Sequence, residues 1–177
     1  MNQANATPRS PPLKSTFYSK EIQSSSGIFE WTIENISWKK LDAERDYITE
    51  IYSDPFFTHE KGYKICLRID PIGNDSQKNY YMSLFLCVMR GPFDDLLSWP
   101  MGLHLILELI NPKTGLVHVS STLRCDETPT YPEIDRPTVE RNNGFGFPKF
   151  MELEELLSNS ELTLNDQLVF RCTTKFP

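Results

Sequence analysis

GYKICLRIDPIGNDSQKNYYMSLFLCVMRGPFDDLLSWP, residues 62–100, is the stretch whose reading decides the fold. Two apolar runs, 63–69 and 80–89, flank a segment that holds Asp70, Pro71, Gly73, Asn74 and Asp75. Aromatic and β-branched residues bounded by such turn formers are the signature of strands. In the first run Tyr63, Ile65, Leu67 and Ile69 face one way, and Lys64, Cys66 and Arg68 face the other. The second, YYMSLFLCVM, is almost continuously apolar, as suits a central strand covered on both faces. It runs into Arg90, Gly91 and Pro92 and must end there, because proline donates no hydrogen bond to a ladder. Residues 93–97 have the composition of one helical turn before Trp99 and Pro100.

The same pattern extends outward in both directions. Ile28, Glu30 and Thr32 alternate with Phe29, Trp31 and Ile33, a strand packed on one face. Trp38 and Leu41 are the expected anchors of the polar segment that follows, and residues 48–52 read as a short second strand. After Pro100, Leu103, Leu105, Leu107 and Leu109 alternate with His104, Ile106, Glu108 and Ile110. NPKTG at 111–115 is a turn by composition, so 116–123 returns as the partner of a hairpin. Residues 126–137 carry prolines and acids without period and form a loop. Phe150, Leu153, Leu156 and Leu157 recur at helical spacing opposite Glu152, Glu154 and Glu155, a short amphipathic helix. Residues 167–174 supply a last strand. Seven or eight strands with one or two helical turns make an all-β antiparallel β-sandwich. Residues 1–26, with few large apolar groups, cannot bury enough surface to offset their ordering entropy. They read as a flexible tail or linker before a domain at 27–177.

Composition excludes several classes of function. The formal net charge is −6 and no basic patch occurs, which argues against a nucleic-acid partner. No apolar run approaches the roughly 18 residues of a membrane span, so no direct membrane insertion is expected. Cys66, Cys87, Cys125 and Cys172 are scattered without a CxxC, and no secretory signal opens the chain. They read as reduced core thiols of a cytoplasmic protein. His59, His104 and His118 show no metal-binding spacing, and no nucleophile elbow or phosphate loop occurs. The expectation is therefore no enzyme, no metal and no cofactor. The oddest segment is NNGFGFP at 142–148. Glycine in a strand marks a bulge or a close backbone approach, and Pro148 confines the segment to a sheet edge. Such an edge either accepts an extended peptide by β-augmentation or simply uses Gly146 to relieve crowding against a neighbouring loop.

GIFEWTIENI (27–36), GYKICLRI (62–69), YMSLFLCVMRGPFDDLLSWP (81–100) and RPTVERNNGFGFPKFMELEEL (136–156), in that order, resemble the C-terminal domain of TNF-receptor-associated factors. The likeness to this TRAF or MATH domain covers about residues 27–175, and the GFGF segment is most similar to the family's sixth member. It implies an eight-stranded antiparallel sandwich and a cytoplasmic adaptor. It also implies binding of short Pro-x-Glu-type peptides, from the cytoplasmic tails of receptors or adaptors, along an edge strand. By the family's pattern Arg68, Phe145 and Phe147 build the pocket for an aromatic or acidic ligand residue, with Asn143, Gly144 and Gly146 along the edge. The loop that takes the peptide glutamate on backbone N–H groups falls at Pro132 and Glu133.

Here the chain departs from the family type. Pro132 has no N–H and Glu133 repels a carboxylate, so less preference for glutamate is expected. Phe147 stands where the type has tyrosine, and one residue is missing near Asn142 and Asn143. No RING, zinc-finger or heptad segment precedes the domain. The chain thus reads as a fragment, a truncated member or a MATH domain of another architecture, and as a monomer or weak trimer. The alternative reading is a substrate-recruiting MATH module of a ubiquitin ligase or deubiquitinase assembly.

Overall fold

The structure, a computed structural model, describes residues 22–23, 27–73, 78–126 and 131–175. In chain order its strands are β1 (Ile22–Gln23), β2 (Ile28–Glu34), β3 (Ile51–Tyr52), β4 (Phe56–Phe57), β5 (Lys64–Asp70), β6 (Tyr81–Met89), β7 (His104–Ile110), β8 (Val117–Arg124), β9 (Phe145–Glu152) and β10 (Gln167–Lys175). Helices α1 (Ile36–Glu44) and α2 (Leu153–Ser158) complete the frame. One sheet runs β1-β4-β5-β6-β9, with β3 also paired to β5, and the other runs β2-β10-β7-β8. Every pair is antiparallel except β1 with β4. This is the antiparallel sandwich expected. Three two-residue strands around β4 and β5 bring the described total above the eight that the resemblance implies.

The stretch at 62–100 behaves as its pattern dictates. β5 and β6 are neighbours in register, Leu67 opposite Leu86, and β6 is buried along nearly its whole length. The alternation in β5 sends Ile65, Leu67 and Ile69 into the main core, where they meet Leu105, Leu107 and Phe170 of the other sheet. Residues 94–96 form the expected helical turn, and the Trp99 indole N–H donates to the Asp94 carbonyl at 3.0 Å. The hairpin forms as β7 and β8, and β10 as the last strand.

Four elements differ from the sequence reading. The polar segment after β2 is helix α1, whose buried residues are Ile36 and Ala43. Trp38 anchors nothing, being 67% exposed. Asn35 before the helix makes no side-chain cap. Instead Asp166 accepts from the Ser37 backbone N–H at 2.9 Å and from its hydroxyl at 2.6 Å. The cap is supplied from 129 residues away, so no local signal announces the helix. Helix α2 begins at Leu153 rather than Phe150, because Met151 and Glu152 are still paired with Met82 and Tyr81. β3 is shorter than 48–52. Finally, Ile22–Gln23, inside the segment read as tail, pairs with Phe56–Phe57. The rest of residues 1–26, apart from these two, lies outside the described residues.

Candidate functional site

β9 closes the six-stranded sheet and has β6 as its one ladder partner among the described residues. Its approach is tied down first. The Arg90 N–H donates to the Glu140 carbonyl and the Asn142 N–H to the Val88 carbonyl, both at 2.9 Å. Phe145, Gly146 and Phe147 then pair with Leu86, Phe85 and Leu84. A bulge follows, because residues 148–150 oppose Ser83 alone, and the Ser83 hydroxyl donates to the Pro148 carbonyl at 2.8 Å. Pro148 stands at this bulge on an edge strand, where a missing N–H is tolerated.

Register decides which side chains meet. Leu67, Leu86 and Phe145 form one row across the sheet, and Ile69, Leu84 and Phe147 another. Both rows face the core, and the two phenylalanines pack against it half-buried. Phe145 lies 5.3 Å from the Tyr131 ring, and Phe147 lies 6.4 Å from Phe150. Arg68 belongs to the row between them, with Phe85 and Gly146, and so points to the opposite face. Arg68 therefore stands on the face opposite Phe145 and Phe147, with its guanidinium carbon 3.4 Å from where a Cβ on Gly144 would be. Arg68 stacks over Phe85 at 4.4 Å and is held by Glu50 at 2.8 Å and Asp70 at 3.1 Å. Burial, with the Glu50 charge, pushes the Asp70 carboxyl up to about 6 although Arg68 pulls it down. Burial lowers Arg68, but Asp70 and Glu50, helped by the Tyr52 hydroxyl and Cys87, more than offset it and raise the guanidinium.

The glycines of 142–148 lie against β6. A Cβ on Gly146 would stand 2.4 Å from the Leu84 carbonyl oxygen and 2.8 Å from Phe85 Cα. One on Gly144 would stand 2.7 Å from Phe85 Cβ. At both glycines the chain approaches β6 too closely for a side chain, so the crowding is with the neighbouring strand rather than with a loop, and it leaves the outer edge of β9 untouched.

Pro132 and Glu133 lie in a helical turn (Pro132–Ile134) pinned beside the start of β9. Ile134 is fully buried, and the Asn142 amide donates to the carbonyls of Pro132, Glu133 and Asp135 at 2.7–3.2 Å. This clamp was not foreseen from the sequence, where Asn142 is one of two adjacent asparagines without a distinguishing pattern. Pro132, Glu133, Arg141, Asn142 and Asn143 line a pocket of about 190 Å³. One Glu133 carboxylate oxygen is buried there without a hydrogen-bond partner among the described residues.

The histidines are engaged with ordinary neighbours. His104 contacts Asp126 at 2.5 Å, His118 contacts Glu155 at 2.8 Å, and His59 contacts Thr58 at 3.0 Å. His104 pairs with Arg124 across the hairpin, not with His118. No helix of the described residues is long and apolar enough to cross a membrane. The four cysteines are buried.

Comparison with known proteins matches residues 28–174 to the family model of the MATH domain. The chain is 35% identical over 155 residues to TNF receptor-associated factor 6 of Xenopus tropicalis, covering 86% of this chain and 28% of that protein. It is 31% identical over 145 residues to TNF receptor-associated factor 5 of Mus musculus, covering 82% and 26%. With TNF receptor-associated factor 2 of Homo sapiens the identity is 30% over 151 residues, covering 85% and 30%. The chain thus spans less than a third of the length of these relatives. Among solved structures, Notothenia coriiceps TRAF5 superposes with a TM-score of 0.79 at 24% identity, over 88% of this chain and 76% of that one. That match concerns the fold.

Proposed function

Because the chain belongs to the MATH domain family, of the kind found in TNF receptor-associated factors, we propose that it is a cytoplasmic signalling adaptor domain. It takes short extended peptides from receptor or adaptor tails onto β9 by strand addition. The observation that carries this reading is the position of β9 at the end of its sheet, with β6 on one side only among the described residues. A strand added to such an edge gains its affinity from main-chain hydrogen bonds and its selectivity from pockets under alternate side chains. The core-facing row offers Phe145 with Tyr131, and the pinned turn offers Glu133 with its unpartnered oxygen. Pro132 contributes no N–H, so a ligand carboxylate finds a repelling charge and one donor fewer here.

The test is a screen of the purified domain against a randomised peptide library, followed by titration of the best ligand. Methylating its backbone nitrogens in one of the two alternating registers should weaken binding at least tenfold, and the other register should have little effect. Phe145→Ala should weaken binding by roughly ten- to a hundredfold, the usual cost of truncating an aromatic anchor. Paired peptides with Glu or Gln at the position beside Glu133 should differ little. Equal tolerance of methylation in both registers would rule out strand addition at β9.

A further inference from the structure

Cys66 and Cys87 are directly opposed in the ladder between β5 and β6, on the outer face of the six-stranded sheet. With Met89 they form a small sulfur-rich cluster separate from the main core, and Tyr52 packs on it. Arg141 covers the same place, its guanidinium 3.7 Å from the centre of the Tyr52 ring. Each thiol is only 1% exposed, yet Tyr52 is half-buried and Arg141 is exposed. The cover therefore includes the side chains of Tyr52 and Arg141, outside the main core of the sandwich, and a peroxide reaches the sulfurs when these side chains move aside.

We propose that Cys66 and Cys87 are a reversible redox pair that closes to a disulfide when a peroxide reaches this face. The Cα atoms already stand within reach, and closure needs only that the opposed Cβ atoms draw in from about 4.5–5.5 Å to about 3.5–4.5 Å. Directly opposed residues of an antiparallel pair have Cα atoms about 4.5–5.5 Å apart, inside the roughly 4.4–6.8 Å range of disulfides.

The local charges favour a thiolate at this pair. A hydrogen bond with Cys87 holds the Cys66 thiol below its ordinary value against the opposing effect of burial, helped by Arg141 and, more weakly, Arg68. The same hydrogen bond, with burial, raises Cys87. Arg141 and Arg68 favour a thiolate at either sulfur, so one thiol of the pair attacks and the other resolves, as in the steps with Cys66 attacking. The Cys66 sulfur attacks one peroxide oxygen, the O–O bond breaks, and the departing oxygen leaves as water with the Cys66 proton. The Cys87 sulfur then displaces the oxygen from the resulting sulfenic acid, and a second water leaves with the Cys87 proton. Two thiols are oxidised to one disulfide and one peroxide is reduced to two waters. A small dithiol reverses the step by exchange. Cys125 and Cys172 serve as internal controls. Both lie in the main core, and burial first, then a neighbouring carboxylate, pushes each up to about 12.

The experiment treats the reduced protein, in native buffer, with a few equivalents of hydrogen peroxide. Free thiols are alkylated and counted after denaturation, and linked peptides are mapped by mass spectrometry. The count should fall from four to two, with a single Cys66–Cys87 cross-link that dithiothreitol removes. Cys66→Ser and Cys87→Ser should each form no intramolecular cross-link. Retention of all four thiols, a cross-link through Cys125 or Cys172, or over-oxidation of Cys66 with Cys87 left free would overturn the proposal. The parent protein decides the matter by itself, so a serine variant that folds poorly does not.

Discussion

Arg68 is the residue where resemblance and geometry part. With 13% of its side chain exposed, it is the cation that holds Asp70, whose own side chain is 4% exposed. Arg68→Ala leaves that carboxylate buried and unpaired, a change that costs on the order of 3 kcal/mol. The loss should depend on pH in a defined direction. The folded-state value of Asp70, about 6, lies above the ordinary 3.8. Between these values the folded protein holds a proton that the unfolded chain lacks, so the burden of Asp70 is full above about pH 6 and is relieved as pH falls. Removing Arg68 takes away the pull that keeps Asp70 ionised, and protonation then relieves more of the damage. Urea midpoints of Arg68→Ala and its parent should therefore stand farther apart at pH 8 than at pH 5. An equal gap at both would mean that Asp70 is not the group left stranded. Any loss of peptide binding in this variant has to be read beside that loss of stability.

At the scale of elements, β9 is held to β6 by the two glycines as much as by its ladder. Gly146→Val would drive a side chain into the Leu84 carbonyl, so it should lower the urea midpoint by an amount worth about 1–3 kcal/mol. An unchanged midpoint would mean that β9 can lift away from β6 at no cost. The strands were legible because each carries its own period: β2, β5 and β7 alternate in sequence, and β6 is apolar but for Ser83. Helix α1 was not, because its cap is Asp166 at the far end of the chain. The candidate site lies between these cases. Its edge position follows from Pro148 and the glycines. That Arg68 and Phe145 face opposite ways follows only from the register across β5, β6 and β9, which pairing sets and no single segment encodes.

For the whole molecule, the six-stranded sheet ends at β9 on one side and at β1 on the other among the described residues. β9 ends the sheet on one side, while β1 covers β4 on the other with a two-residue parallel pair. A net backbone hydrogen bond contributes about 0.5–1.5 kcal/mol, and fixing each residue's backbone costs about 1–2 kcal/mol. These contributions nearly cancel for so short a strand. Deleting residues 1–26, which takes β1 away, should thus change stability by less than about 1 kcal/mol with the slope against urea unaltered. The deletion also bares the edge of β4, which is two residues long and preceded by Pro55, too short to hold a peptide ladder. Peptide affinity and a stoichiometry of one per chain should therefore survive the deletion. A second binding event after deletion would show that β1 masks a competing edge at β4. Loss of binding would place the peptide at the β1 end of the sheet and remove β9 from the reading.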